Sequence, residues 1–186
     1  MNRKEIEQWL RKYGIKNYTI NKNLVVDVDG GVNISGKNLK KLPFQFGTVT
    51  GFFYCYGNKL TSLQHSPTSI GGSFWCNGNN ITSLQYCPTT VSGGFYCSNN
   101  DLTSLQYCPT TVGGDFYCYN NKLTSLQYCP TTVGGDFGCS NNTFQVTKEN
   151  EASWINAINM HKSVYRHVKD QATPAMTNVY KLMWEL

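Results

Sequence analysis

The stretch Val112-Gly-Gly-Asp-Phe-Tyr-Cys-Tyr-Asn-Asn-Lys-Leu-Thr-Ser-Leu-Gln-Tyr-Cys-Pro-Thr-Thr132 decides how the rest of the chain is read. The same phrase starts again at Val91, Ile70 and Val49, and in truncated form at Val133. Cys55, Cys76, Cys97, Cys118 and Cys139 keep a constant step of 21 residues. Asn58, Asn79, Asn100, Asn121 and Asn142 keep it too, as do Phe53, Phe74, Phe95, Phe116 and Phe137. A degenerate first copy begins near Val28, with Val32, Ile34, Leu39 and Leu42 in the apolar places and Lys37 where the Asn would stand. A fixed period of this length, unbroken by insertions, is the signature of a stacked-repeat architecture.

The spacing inside one unit says how each coil is built. Phe116 and Cys118 are two apart, so on a strand both point inward while Tyr117 points out. Successive coils then stack like residues about 4.8 Å apart, giving interior columns of Phe, Cys and Leu. An Asn amide both donates and accepts, so an Asn column can pair turn backbone that would otherwise be buried unpaired. Gly113-Gly114 provides either a positive φ or a close approach of neighbouring coils. Pro130 removes a donor where the chain returns outside a ladder.

The pattern Phe-x-Cys-x-x-Asn-x-Leu, carried by Phe116, Cys118, Asn121 and Leu123, resembles the leucine-rich-repeat signature. The short unit with its Pro-containing return resembles most the repeats of bacterial effectors and bacteriophage proteins. Gly-Gly where the first leucine and its neighbour usually stand, and Phe at the first strand position, are departures from that pattern. The expected fold is a repeat solenoid, mainly parallel β with irregular return segments, with an α/β cap before it and two helices after it.

The expected domains are an N-terminal cap over 1–27, about six 21-residue coils over 28–147 and a helical cap over 148–186. Terminal caps are what an open-ended solenoid requires. Asn2 with Glu5 reads as a helix start, Ile6, Trp9, Leu10 and Tyr13 as one apolar stripe, and Tyr18–Ile20 with Leu24–Val28 as a hairpin. At the other end, Asn150 caps a predicted helix carrying Trp154, Ile155, Ile158, Tyr165 and Val168. Thr173-Pro174 opens a second, with Met176, Val179, Tyr180 and Met183 at helical spacing. These stripes cover the ends of the core, and the last helix is also a candidate for docking a second copy.

Charge is unevenly spread. Residues 1–42 hold nine Lys/Arg against four Asp/Glu, whereas Pro43 to Val146 holds only Lys59, Asp101, Asp115, Lys122 and Asp136. The basic end, with Arg3, Lys4, Arg11, Lys12, Lys40 and Lys41, reads as a solvated face. There is no apolar run of membrane-spanning length and no apolar stretch after the first charged residues. The expectation is a cytoplasmic protein, or one in the host cytoplasm if phage-encoded.

The eight cysteines fall into two repeat phases, Cys87, Cys108 and Cys129 forming the second, and none makes a C-x-x-C pair. Ser66 stands where the second coil would have its Cys, which suits a packing slot better than a ligand set. Reduced, structural thiols are expected, with no metal and no cofactor. His65 replaces the Tyr of Tyr86, Tyr107 and Tyr128, and His161 and His167 are six apart, on different faces of a helix. No phosphate loop, nucleophile elbow or paired carboxylate is present, so no enzyme is expected.

The outward strand positions carry the functional information. On the concave face implied by the leucine-rich-repeat resemblance stand Phe52, Tyr54 and Tyr56, then Trp75 and Asn77, Tyr96, Asp115, Tyr117 and Tyr119, and Asp136. The middle column reads Tyr, Trp, Tyr, Tyr, Gly, an aromatic row of about 14 Å at strand spacing. Tyr and Trp dominate interface hot spots, so the expected function is non-enzymatic binding of another protein. By resemblance this is a host defence or regulatory protein that a phage or bacterial factor would inhibit. Single-stranded nucleic acid would also need Lys or Arg along the groove, and the strands have none. A nucleotide, another small ligand or a single-stranded nucleic acid on the same face, and assembly through the C-terminal helix, are the alternatives.

Overall fold

A computed structural model describes residues 1–144 and Ala152. Helix α1 (Arg3–Lys12) starts at an Asn2–Glu5 capping box, with Glu5 N donating to Asn2 Oδ1 at 3.0 Å and Asn2 N to Glu5 Oε2 at 2.8 Å. These bonds satisfy two of the donors that a helix start leaves free. Its inward side buries Ile6 and Leu10 and lays Trp9 against Phe44, ring centroids 5.1 Å apart. The hairpin follows as β1 (Tyr18–Ile20) and β2 (Val26–Val28), paired antiparallel. Its second strand pairs in parallel with β4 (Phe46–Val49), so the N-terminal cap is continuous with the solenoid sheet.

Each coil carries two short strands rather than one. Strand β3 (Val32–Asn33) pairs with β5 (Phe53–Tyr54), and the series continues through β7 (Phe74–Trp75), β9 (Phe95–Tyr96), β11 (Phe116–Tyr117) and β13 (Phe137–Gly138). These make a six-stranded parallel sheet in a register of 21 residues, Phe95 beside Phe116 and Tyr96 beside Tyr117. The second strands are β6 (Ser69–Ile70), β8 (Thr90–Val91), β10 (Thr111–Val112) and β12 (Thr132–Val133). They extend β1, β2 and β4 into a seven-stranded sheet, parallel apart from the β1–β2 hairpin. The return segments expected to be irregular therefore hold part of a second sheet. Two residues after a proline are too short a run to show a strand period in sequence, yet Thr points out and Val in at nearly every coil.

The turn between the two sheets settles the role of the Gly-Gly pair. Neither Gly113 nor Gly114 has a positive φ; a Cβ on Gly113 would run into the Ser92 carbonyl oxygen of the preceding coil. The glycines are there for close backbone approach.

The core is a set of columns. Phe53, Phe74, Phe95, Phe116 and Phe137 stack with centroids 5.9, 5.4, 5.9 and 5.0 Å apart, all buried. Burial of one such ring contributes about 2–3 kcal/mol. Beside them lie the Cys55-to-Cys139 column and two leucine-type columns, Leu60, Ile81, Leu102, Leu123 and Leu63, Leu84, Leu105, Leu126. The Asn column pairs the backbone of two coils at once. Asn100 Nδ2 donates to the carbonyls of Cys76 and Cys97, both at 3.1 Å, and its Oδ1 accepts from Ile81 N at 3.0 Å. Asn58, Asn79, Asn121 and Asn142 make corresponding bonds. Because Asn58 accepts from Lys37 N at 2.9 Å and Leu39 N at 3.0 Å, the first coil tolerates Lys37 in the Asn place. The predicted C-terminal helices lie outside the described residues. Among those described, no helix is long and apolar enough to cross a membrane.

Candidate functional site

Strand alternation puts the predicted surface side chains of the six-stranded sheet outside the core, while Gly138, the last of the middle column, is buried. Tyr54, Trp75, Tyr96 and Tyr117 form a row, with centroids 4.8 Å apart for the first two pairs and 5.3 Å for the third. All four are half-buried. Phe52 stacks on Tyr54 at 4.2 Å, Tyr56 lies 5.7 Å from Trp75, and Tyr119 lies 5.9 Å from Tyr117. Seven rings thus make one continuous surface, each contact of the kind that adds about 0.5–1.5 kcal/mol beyond burial. The row ends at Gly138, where the Tyr117 ring fills the space a side chain would need.

Charge enters this face only at Asp115 and Asp136. Asp115 is already engaged: Tyr96 Oη donates to its Oδ2 at 3.1 Å, and Asp136 N donates to its Oδ1 at 2.9 Å. Tyr96 reaches across to the next coil because Gly94 leaves room beneath its ring. Burial and then the Asp115 bond push the Tyr96 phenol up to about 12. Tyr117 is raised in the same way, by burial first and then by Asp115. Asp136 remains exposed at the end of the row. Near the middle, Trp75 Nε1 and Asn77 Oδ1 are shielded from solvent and have no partner.

The thiols are placed for packing. All eight cysteines are free. Burial raises the Cys55, Cys87 and Cys139 thiols to about 12 and Cys129 to about 11. Thiols held protonated at neutral pH are poor nucleophiles and poor metal ligands. Among the described residues, no group of three His, Cys, Asp or Glu side chains is arranged to hold a metal ion. His65 sits with Nδ1 3.0 Å from the Leu42 carbonyl oxygen; His161 and His167 lie outside the described residues.

A second aromatic column stands at another corner of the coil. Leu84-Gln85-Tyr86-Cys87 is a turn closed by Cys87 N donating to Leu84 O at 3.0 Å. The same turn recurs at Leu63–Ser66, Leu105–Cys108 and Leu126–Cys129. Its third residue is left-handed each time, with φ of 73° at His65, 70° at Tyr86, 72° at Tyr107 and 66° at Tyr128. That position of a turn ordinarily takes Gly or Asn, and a bulky residue there costs about 1–2 kcal/mol. At its other recurrent left-handed position the chain keeps the ordinary rule, with Gly36, Gly57, Gly78, Asn99, Asn120 and Asn141, while Leu24 in the hairpin is a single further exception at φ 61°. Tyr86, Tyr107 and Tyr128 are more than half exposed, at 54%, 55% and 55%. None of the ring contacts among the described residues involves them. Sequence reasoning reaches this column only as the variable place of His65; the 21-residue step gives its position, but nothing in the pattern gives its backbone conformation.

No protein-family model matches the chain, and neither does any curated protein or solved structure.

Proposed function

We infer that the chain is a non-enzymatic binding module that grips another protein through the aromatic face of its six-stranded sheet. The observation that carries this reading is the unbroken row Tyr54, Trp75, Tyr96 and Tyr117, half-exposed on a rigid ladder. Rings already ordered by their neighbours lose little side-chain freedom when a partner covers them, which lowers the entropic cost of association. Exposed Asp136 and the scarcity of other charge on the face suit a partner surface that is mainly apolar with a basic group at one end. Absence of Lys and Arg from the strands weighs against a phosphate backbone on this face.

The finer reading takes the coils as leucine-rich repeats of the bacterial effector and bacteriophage type, and the partner as a host protein whose activity is blocked. It is supported by the repeat length and the Phe-x-Cys-x-x-Asn-x-Leu signature. The test is affinity capture from host cells with the native chain and with Trp75→Ala/Tyr96→Ala, the circular dichroism of both being recorded. The reading expects a partner captured by the native chain and lost with the double variant while the solenoid spectrum persists. A partner held equally by both would remove this face from the account.

A further inference from the structure

We propose that the edge column Tyr86–Tyr107–Tyr128, with the groove at its His65 end, is a separate binding site for an extended, uncharged, β-1,4-linked glycan. It uses a different surface from the sheet face and does not depend on that reading.

The first observation is the cost the chain accepts to keep these rings. At the other left-handed position that recurs in every coil it places Gly or Asn; at this turn it places Tyr in three coils of four. The rings stay outside the core and take part in no ring contact among the described residues, so core packing does not explain them. Strain retained at a residue whose side chain points to solvent is characteristic of contact sites.

The second observation is the chemistry around the rings. The segments 61–65, 82–86, 103–107 and 124–128 each read Thr-Ser-Leu-Gln followed by Tyr or His, with no Asp, Glu, Lys or Arg. The Ser hydroxyls are occupied, accepting from the backbone N–H of Gln64, Gln85, Gln106 and Gln127 at 3.0–3.4 Å. Exposed Thr hydroxyls, Gln amides and Tyr phenols are left facing solvent. That combination suits a sugar, whose C–H face lies on an aromatic ring while its hydroxyls exchange hydrogen bonds with amides and hydroxyls. A polyanion would need cations that the stripe lacks.

The third observation is periodicity. Thr and Gln recur in four coils and Tyr in three of them, at a step of about 4.8 Å, close to the length of one pyranose ring in an extended chain. A ligand that repeats at that interval meets the same contacts again and again; an irregular protein surface does not. An extended β-1,4-linked chain can lie along a straight row, whereas a coiled α-linked chain leaves it.

The fourth observation is a groove of about 350 Å³ where the column begins, lined by Gln45, His65, Ser66, Pro67, Tyr86 and Thr89 among others. Its volume falls at the small end of ligand sites. Ser66 is 3% exposed, and its Oγ has no hydrogen-bond partner. In the next coil the same slot holds Cys87, whose Sγ donates to Tyr107 O at 3.0 Å. The groove beside Tyr86, with this shielded hydroxyl in its wall, is where a terminal sugar would dock, the chain then running over Tyr107 and Tyr128.

The test is isothermal titration of the full chain with cellohexaose and with the N-acetylglucosamine hexamer, tyrosine fluorescence being followed in parallel. The proposal expects at least one hexasaccharide to bind and perturb tyrosine emission. It expects Tyr86→Asn/Tyr107→Asn/Tyr128→Asn to weaken binding by roughly tenfold or more without lowering the melting temperature, since Asn relieves the backbone. Trp75→Ala/Tyr96→Ala, on the other face, should bind the sugar as the native chain does. Failure of both hexasaccharides to bind overturns the proposal, as does equal binding by the triple Asn variant. A protein or peptide found seated on these tyrosines in place of a glycan overturns it as well.

Discussion

Two columns of aromatic rings run along the surface of this solenoid, and they are built in opposite ways. On the six-stranded sheet, Tyr54, Trp75, Tyr96 and Tyr117 sit in extended backbone, lean on one another and are half-buried. At the edge turn, Tyr86, Tyr107 and Tyr128 sit in left-handed backbone, stand apart and are more than half exposed. In the first column, backbone preference, cross-strand contact and burial all agree, so the rings contribute to the fold whatever else they do. In the second, the local backbone prefers another residue type, and the side chain stays outside the core. The contrast teaches that one repeat pattern in sequence can conceal two unlike physical roles, separated by φ and by ring contacts.

Both columns depend on the coil step, so the strongest way to break the comparison is to force the coils apart. Gly113→Ala sets a methyl group against the Ser92 carbonyl, a backbone atom that cannot rotate away. A loss of about 3 kcal/mol or more is expected in urea unfolding; a loss under about 1 kcal/mol would mean that close approach at Gly113 does not set the step. Next in size is Trp75→Ala, which removes ring contacts to Tyr54, Tyr56 and Tyr96. It should cost about 2 kcal/mol, below the range for a fully buried ring because Trp75 is half-exposed. Asn120→Tyr then carries the edge column's strain to the other left-handed position. A loss of about 1 kcal/mol is expected, and a gain in stability would show that Tyr suits left-handed turns of this fold.

The smallest effect is electrostatic. Tyr96 ionises at about 12 in the folded chain, against about 10 for an unperturbed tyrosine. The fold therefore favours the neutral phenol. Its contribution to stability is complete below pH 10 and is lost as the pH rises from 10 through 12. Asp115→Asn removes the carboxylate that, after burial, holds the phenol neutral, and should bring the Tyr96 titration down toward 10, read by ultraviolet difference spectra. An unmoved titration would separate the sheet column from its acidic end.

Much of the architecture was legible because the repeat is so regular. A step of 21 residues without an insertion predicts the parallel register, the Phe, Cys, Leu and Asn columns and the outward place of Tyr54, Trp75, Tyr96 and Tyr117. The N-terminal cap was legible too, since Asn2 and Glu5 state a local rule. The Thr-Val strands were not, because two residues give no period to detect. For Gly113 the sequence left open a positive φ or a close approach, a choice that depends on where the neighbouring coil's carbonyl lies. The engagement of Asp115 by Tyr96 crosses coils, and nothing in the spacing of the two residues announces it. Least visible was the edge column, since Tyr in Leu-Gln-Tyr-Cys carries no left-handed signal and propensity points to Gly or Asn instead.

The most direct measurement is chemical unfolding of Tyr86→Asn/Tyr107→Asn/Tyr128→Asn beside the native chain. If the edge tyrosines are held against the preference of their own backbone, losing three large aromatic rings leaves the unfolding free energy unchanged or raises it. A fall of the size expected for Trp75→Ala would show that the edge rings hold the fold together as the sheet rings do, and the distinction between the two columns would be lost.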